Sequence, residues 1–230
     1  MTEIDRGLRT GTKFAIAGML LVGAMCLAAF PCGATVINGD FSAGLTGWTS
    51  VGDVQGVTDA VLGDTNADYS LLFQGVALTP GSYCLDFDFL NGLSSDVPVG
   101  TFAFPDTFFA SLYFINDLPS FDLNGSVFDG VDALMDLDAS GPSNVNGTLS
   151  ASSLGSEWTH FSYHFTNNYA YVIPTFELFN FNGISSDSQV RLDNVAISEC
   201  AVVPEPATMT LSAMGLLGLA ASRFRKAKSL

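Results

Sequence analysis

Between residues 35 and 200 apolar side chains recur at every second position, and no segment keeps the 3.6-residue period of a helix. Tyr83, Leu85, Phe87 and Phe89 alternate with Cys84, Asp86 and Asp88. Val131, Ala133, Met135 and Leu137 alternate with Asp132, Asp136 and Asp138, and Phe161, Tyr163 and Phe165 with His160, Ser162 and His164. Each run predicts a strand with one buried face. Turn signals separate the runs: Thr79-Pro80-Gly81, Asn91-Gly92, Asn124-Gly125, Gly141-Pro142, Asn146-Gly147 and Asn182-Gly183. Near the end, Val190 and Leu192 are out of phase with Val195 and Ile197, which predicts a bulge at Asp193–Asn194. Sixteen phenylalanines between 41 and 181 can fill the space between two sheets. The expected fold is all-β, an antiparallel β-sandwich of the jelly-roll type over 35–200.

The flanks follow a different pattern. Arg6, Arg9 and Lys13 precede an uncharged apolar run from Phe14 to Phe30, then Pro31 and the small residues Gly33 and Ala34. This is the layout of a secretory signal peptide over 1–34, an N-terminal signal helix cut by signal peptidase after Ala34, with an uncleaved anchor as the alternative. At the other end, 201–206 is a linker containing Pro204, Glu205 and Pro206. The stretch 207–222 then carries no charge, and the tail 223–230 holds Arg223, Arg225, Lys226 and Lys228. Sixteen helical residues span roughly 24 Å, and a snorkelling Arg223 lengthens that, so 207–222 is expected to be a C-terminal transmembrane helix. Its basic tail stays cytoplasmic, which leaves 35–200 on the far side.

Charge supports this division. Arg191 is the only lysine or arginine between 35 and 200, against 20 acids in the same stretch. Such a surface cannot replace the counterions of a phosphate backbone, so no nucleic-acid partner is expected. Cys84 and Cys200 remain after removal of 1–34, and an even pair in an exported chain predicts one disulfide.

The Pro204-Glu205-Pro206 element, the apolar segment and the basic tail together resemble the PEP-CTERM sorting signal. The resemblance implies a substrate of exosortase, a membrane-embedded cysteine protease or transpeptidase of Gram-negative bacteria that make exopolysaccharide. It implies an inner-membrane intermediate, then delivery to the cell surface or extracellular matrix. The opening Val36-Ile37-Asn38-Gly39-Asp40-Phe41, its Gly47-Trp48, and the closing Val190-Arg191-Leu192-Asp193-Asn194-Val195-Ala196-Ile197 resemble the two ends of galactose-binding-like, carbohydrate-binding-module jelly rolls. In such modules a structural Ca2+ often joins the ends, which would place Asp40 and Asp193 at the metal. Ser42 stands where those modules supply an acid.

Candidate chemistry is otherwise sparse. His160 and His164 lie about 13 Å apart along a strand, too far to share a metal, and are expected at the surface. Asp122, Asp129, Asp132, Asp136 and Asp138 form a solvated acidic face, with Asp86 and Asp88 a second one. If those two strands were neighbours, like charges would oppose and a divalent cation would relieve them. Trp48, Tyr113 and Trp158 are candidates for a sugar-stacking platform. The expected function is that of a noncatalytic surface or matrix component binding polysaccharide. A glycan-acting enzyme and a calcium-stabilised adhesin without a sugar site are the alternatives.

Overall fold

Alternation at the level of single strands becomes two packed sheets in the computed structural model, which describes residues 36–63, 68–95, 105–181 and 188–200. Thirteen strands follow one another among these residues: β1 Thr49–Val51, β2 Val54–Gly56, β3 Ala60–Gly63, β4 Tyr69–Phe73, β5 Val76–Ala77, β6 Gly81–Gly92, β7 Thr107–Ile115, β8 Gly130–Asp138, β9 Gly141–Ser143, β10 Thr148–Ala151, β11 Thr159–Asn167, β12 Tyr171–Phe179 and β13 Gln189–Glu199. Sheet A has the order β1-β4-β12-β7-β8-β9, with β5 also on β12; sheet B has the order β10-β11-β6-β13-β3-β2. All strand pairs described are antiparallel. The segments 1–34 and 201–230, with their expected helices, lie outside the described residues. Among the described residues no helix is long and apolar enough to cross a membrane.

The core is where the inner faces meet. Tyr83, Leu85, Phe87 and Phe89 of β6 and Phe161 and Phe165 of β11 are buried against Phe108, Ala110, Leu112 and Phe114 of β7 and Val172, Phe176 and Leu178 of β12. Phe87 is the centre: its ring stacks on Phe161 at 4.7 Å and meets the edge of Phe176 at 5.1 Å. Aromatic pairs at such separations add about 0.5–1.5 kcal/mol each beyond burial of their area.

Two expectations about register meet different outcomes. In β13 the pairing with β6 shifts between Asp193 and Ala196, and Asn194 takes φ +52°. The slip rotates the chain, so Val190, Leu192, Val195 and Ile197 are all buried. In β8 an unforeseen irregularity opposite Ala110/Ser111 changes the outcome. Met135 and Leu137 point inward as expected, but Val131 is 45% exposed and Ala133 is exposed too. The bulge has turned Asp132 toward sheet B, where its Oδ2 accepts a hydrogen bond from the Tyr163 hydroxyl at 2.9 Å. Asn91-Gly92 is not a turn either. It ends β6, paired with Val190 and Gln189 of β13, and the Asn91 amide donates to the Asp138 carbonyl at 2.8 Å.

Cys84 and Cys200 form a disulfide across 116 residues of sequence. It fastens the end of β13 to β6.

Candidate functional site

The outer face of sheet A is unusually aromatic for a solvent-side surface. Strand register places its side chains in rows: Tyr69, Phe179 and Thr107; then Leu71, Glu177 and Phe109; then Phe73, Thr175 and Ser111; then Ile173 and Tyr113. At one end Phe179 touches three rings, Tyr69 at 4.9 Å, Phe109 at 5.7 Å and Phe181 at 5.8 Å. Phe181 is 51% exposed. Toward the middle the 116–129 connection folds back over the sheet. Phe121 packs between Phe73 and Tyr113, at 5.6 and 5.7 Å, and Phe128 lies on Tyr113 at 4.9 Å.

Between the rings around Phe179 and this connection is a cavity of about 280 Å³, lined by Tyr69, Tyr113, Leu123, Asn124, Glu177 and Phe179. That is just below the usual range for ligand pockets, about 300–1,000 Å³. Its polar groups are few and aimed. The Tyr69 hydroxyl donates to Glu177 Oε1 at 2.7 Å. Burial, then the hydrogen bond to Glu177, pushes the Tyr69 phenol well above its ordinary range. Burial and the nearby Glu177 charge raise that of Tyr113. Both phenols therefore stay neutral donors at any physiological pH. The lining combines flat rings, two hydroxyls, a carboxylate and an amide, and can stack on a sugar ring while hydrogen-bonding its hydroxyls.

The three aromatics singled out from sequence are not brought together. Tyr113 is in the cavity just described. Trp48 is in the core, packed on Phe41 at 5.3 Å and Phe176 at 6.2 Å, with its indole N–H donating to the Asn38 carbonyl at 3.1 Å. This corrects its assignment to a platform, since a buried ring offers no face to a ligand. Trp158 lies on the other sheet, where the Arg191 guanidinium carbon is 5.5 Å from its ring centroid. Tyr69, Glu177, Phe179 and Phe181 were missed. β12 is apolar on both sides, so alternation could not separate its core positions from its outer ones.

The expected calcium ligands serve the chain itself. Asp40 Oδ1 accepts from the backbone N–H and the hydroxyl of Ser42 at 3.3 and 3.0 Å. Asp193 Oδ1 accepts from the Asn194 N–H at 2.7 Å. Among the described residues no three His, Cys, Asp or Glu side chains converge to hold a metal. Ser42, standing in place of an acid, removes one carboxylate from the six to eight oxygens that calcium takes. Backbone joins the two ends directly: the Val195 N–H donates to the Gly39 carbonyl at 2.9 Å. A Cβ on Gly39 would fall 1.8 Å from the Val195 oxygen, so the close approach requires glycine. Gln74 completes the junction. Its amide accepts from the Ile37 N–H at 2.7 Å and donates to the carbonyls of Ile37 and Gly47, both at 3.0 Å.

The described ion pairs lie on sheet B. β6 borders β11 and β13, not β8, so the two acidic strand faces are not neighbours. His160 Nδ1 lies 3.0 Å from Asp88 and its Nε2 3.6 Å from Asp86, so His160 is a partner of carboxylates and more than a surface residue. The Asn194 amide donates to the other Asp88 oxygen at 2.8 Å. Arg191 is paired with the buried Asp59. His164 is exposed. Burial, then the charges of Asp59, Asp88 and Asp40, raise the Asp193 carboxyl above its ordinary value against one backbone hydrogen bond that lowers it.

An all-β sandwich thus precedes a C-terminal element that has its own identity. Residues 202–226 match the PEP-CTERM protein-sorting motif, which implies an exported, membrane-transiting chain processed by exosortase. No curated protein matches the chain. Among solved structures the fold is similar to the enzymatically active domain of tailspike protein 4 from Bacteriophage CBA120, with 14% identity and a TM-score of 0.45 over 71% of this chain and 21% of that one. The chain thus spans about a fifth of the tailspike's length. It is also similar to TmCBM61 in complex with beta-1,4-galactotriose, with 12% identity and a TM-score of 0.43 over 71% of this chain and 97% of that one. A third is the C-terminal family 22 carbohydrate binding module of Clostridium thermocellum Xyn10B, with 10% identity and a TM-score of 0.40 over 73% and 98%.

Proposed function

We propose that the protein is a noncatalytic, polysaccharide-binding component of the cell surface or extracellular matrix. It reaches that location through signal peptidase and exosortase. The observation that carries this reading is the cavity on the outer face of sheet A, where Tyr69, Tyr113 and Phe179 surround Glu177 and Asn124. Rings on an outward face cost solvent exposure that a core position would avoid, and a sugar ring stacked on them recovers it. Glu177 is the one carboxylate among the six lining residues, whereas glycoside hydrolysis uses two acids across the scissile bond. This supports binding without cleavage. The sorting motif supplies the context, since it implies delivery to an envelope where polysaccharide is the abundant partner.

A glycan array with the full chain tests the reading. Tyr113→Ala or Phe179→Ala should weaken the glycan bound by the wild type about 5- to 100-fold, as for an anchoring aromatic worth about 1–3 kcal/mol. Trp158→Ala, on the other sheet, should leave affinity within twofold. Binding insensitive to Tyr113 and Phe179 sinks the assignment of the site, and release of reducing sugar from the bound glycan sinks the noncatalytic reading.

A further inference from the structure

Resting on the glycan-binding reading of the sheet A cavity, we infer that the site takes uncharged sugars and rejects chains carrying uronate, sulfate or phosphate. The lining residues that bear ionisable groups are Glu177 and the phenols of Tyr69 and Tyr113. None can present a positive charge. Glu177 stands in the same strand-pairing row as Phe109 and Leu71, and Phe109 is in turn paired with Asp136 of β8. Asp68 immediately precedes Tyr69, and Asp122 immediately precedes Leu123. Glu177, rising from β12, is the carboxylate that the lining itself holds, and the chain next to the lining adds acids but no base.

No cation is on hand to balance them. Between 35 and 200 the only lysine or arginine is Arg191. It belongs to β13 of the other sheet, and its guanidinium is engaged by Asp59 and lies over Trp158. An anionic glycan entering the cavity would lose water from its charge and meet only charges of its own sign. Recognition of carboxylate, sulfate or phosphate normally relies on Arg or Lys. A neutral sugar meets the opposite situation. Its hydroxyls can donate to Glu177 Oε2 and accept from the Tyr113 hydroxyl and the Asn124 amide, and charge-assisted hydrogen bonds to the carboxylate are the strong ones. The same carboxylate thus selects for hydroxyl donors and against anions.

The experiment compares matched ligands on the full chain in detergent micelles, with EDTA present so that no divalent ion bridges carboxylates. Galacto-oligosaccharides are set against oligogalacturonates, and gluco- against glucurono-oligosaccharides, by isothermal titration at 20 and 500 mM NaCl. At low salt the best neutral ligand should bind at least about tenfold more tightly than its uronate counterpart, the size expected of one like-charge contact in a partly shielded site. The gap should narrow at high salt, because screening weakens repulsion and leaves neutral binding unchanged. Glu177→Gln, which keeps shape and removes charge, should raise the uronate-to-neutral affinity ratio several-fold. Uronates bound as tightly as neutral chains at low salt would overturn this selectivity while leaving glycan binding in place. So would a gap indifferent to both salt and Glu177→Gln. No binding of any glycan would overturn the binding reading itself, and the selectivity with it.

Discussion

Replacing both cysteines of the Cys84–Cys200 pair by serine isolates one contribution to stability cleanly. The bridge closes a loop of 116 residues in sequence separation. In the chain-entropy description, releasing a loop of that length stabilises the denatured state by about 5 kcal/mol. Little else compensates at the site. Beyond the last β13–β6 register pair, Glu199 with Tyr83, the Cys200 N–H reaches the Ser82 carbonyl at 3.4 Å, a long hydrogen bond. For a domain of this size each kcal/mol moves Tm by about 2–4 °C, so a fall of roughly 10–20 °C is expected. Guanidinium titrations followed by tryptophan fluorescence should show a lower midpoint together with a steeper slope, because the uncrosslinked denatured chain exposes more surface. The wild type treated with reductant should converge on the double variant. A loss below about 1 kcal/mol with an unchanged slope would refute the loop-closure reasoning and place the stability in the sheets alone.

Two further expectations follow from the charges of sheet B. The Asp193 carboxyl is raised by burial first and by neighbouring carboxylates after it. The fold thus favours its protonated form, and the stability this contributes is full below about pH 4 and lost as pH rises through the raised value. Asp193→Asn should increase Tm at pH 7 and leave it unchanged at pH 3; an equal change at both values would contradict the linkage. Trypsin offers a second measurement. Arg191 is the one tryptic site between 35 and 200, and it sits in β13 between Leu90 of β6 and Val61 of β3. Cleavage there should track global unfolding and be undetectable in native buffer over hours. Rapid cutting at Arg191 would mean that β13 opens on its own.

What could be seen in the sequence depended on whether a strand keeps water on one side. β6 and β11 do, so Tyr83 to Phe89 and Phe161 to Phe165 showed their inner faces by alternation. The bulge in β13 was legible because two apolar pairs fell out of phase around Asp193 and Asn194. The bulge in β8 was not, because Leu134 fills the slip and leaves an unbroken-looking alternation from Val131 to Leu137. The cavity was hidden for a related reason. Ile173 and Thr175 are buried on the outward side of β12, beneath the 116–129 connection, so the strand is hydrophobic on both faces. Which face carries Phe179 and Glu177 is decided by pairing with β4 and β7, which are distant in sequence. The sorting motif was legible outright because it is a linear signal, read by order of composition and independent of the fold.

The staple at Cys200 lies two residues before the sorting motif begins. Any tug on the tail by the membrane machinery enters the globule there. Pulled at its free end, β13 alone would peel from β6 like a zipper, one rung at a time. With the sulfur bridge in place the load passes instead into Cys84, inside a twelve-residue strand gripped on both sides by β11 and β13. Traction then has to disturb β6 together with its two partner strands, and β13 is not stripped away alone.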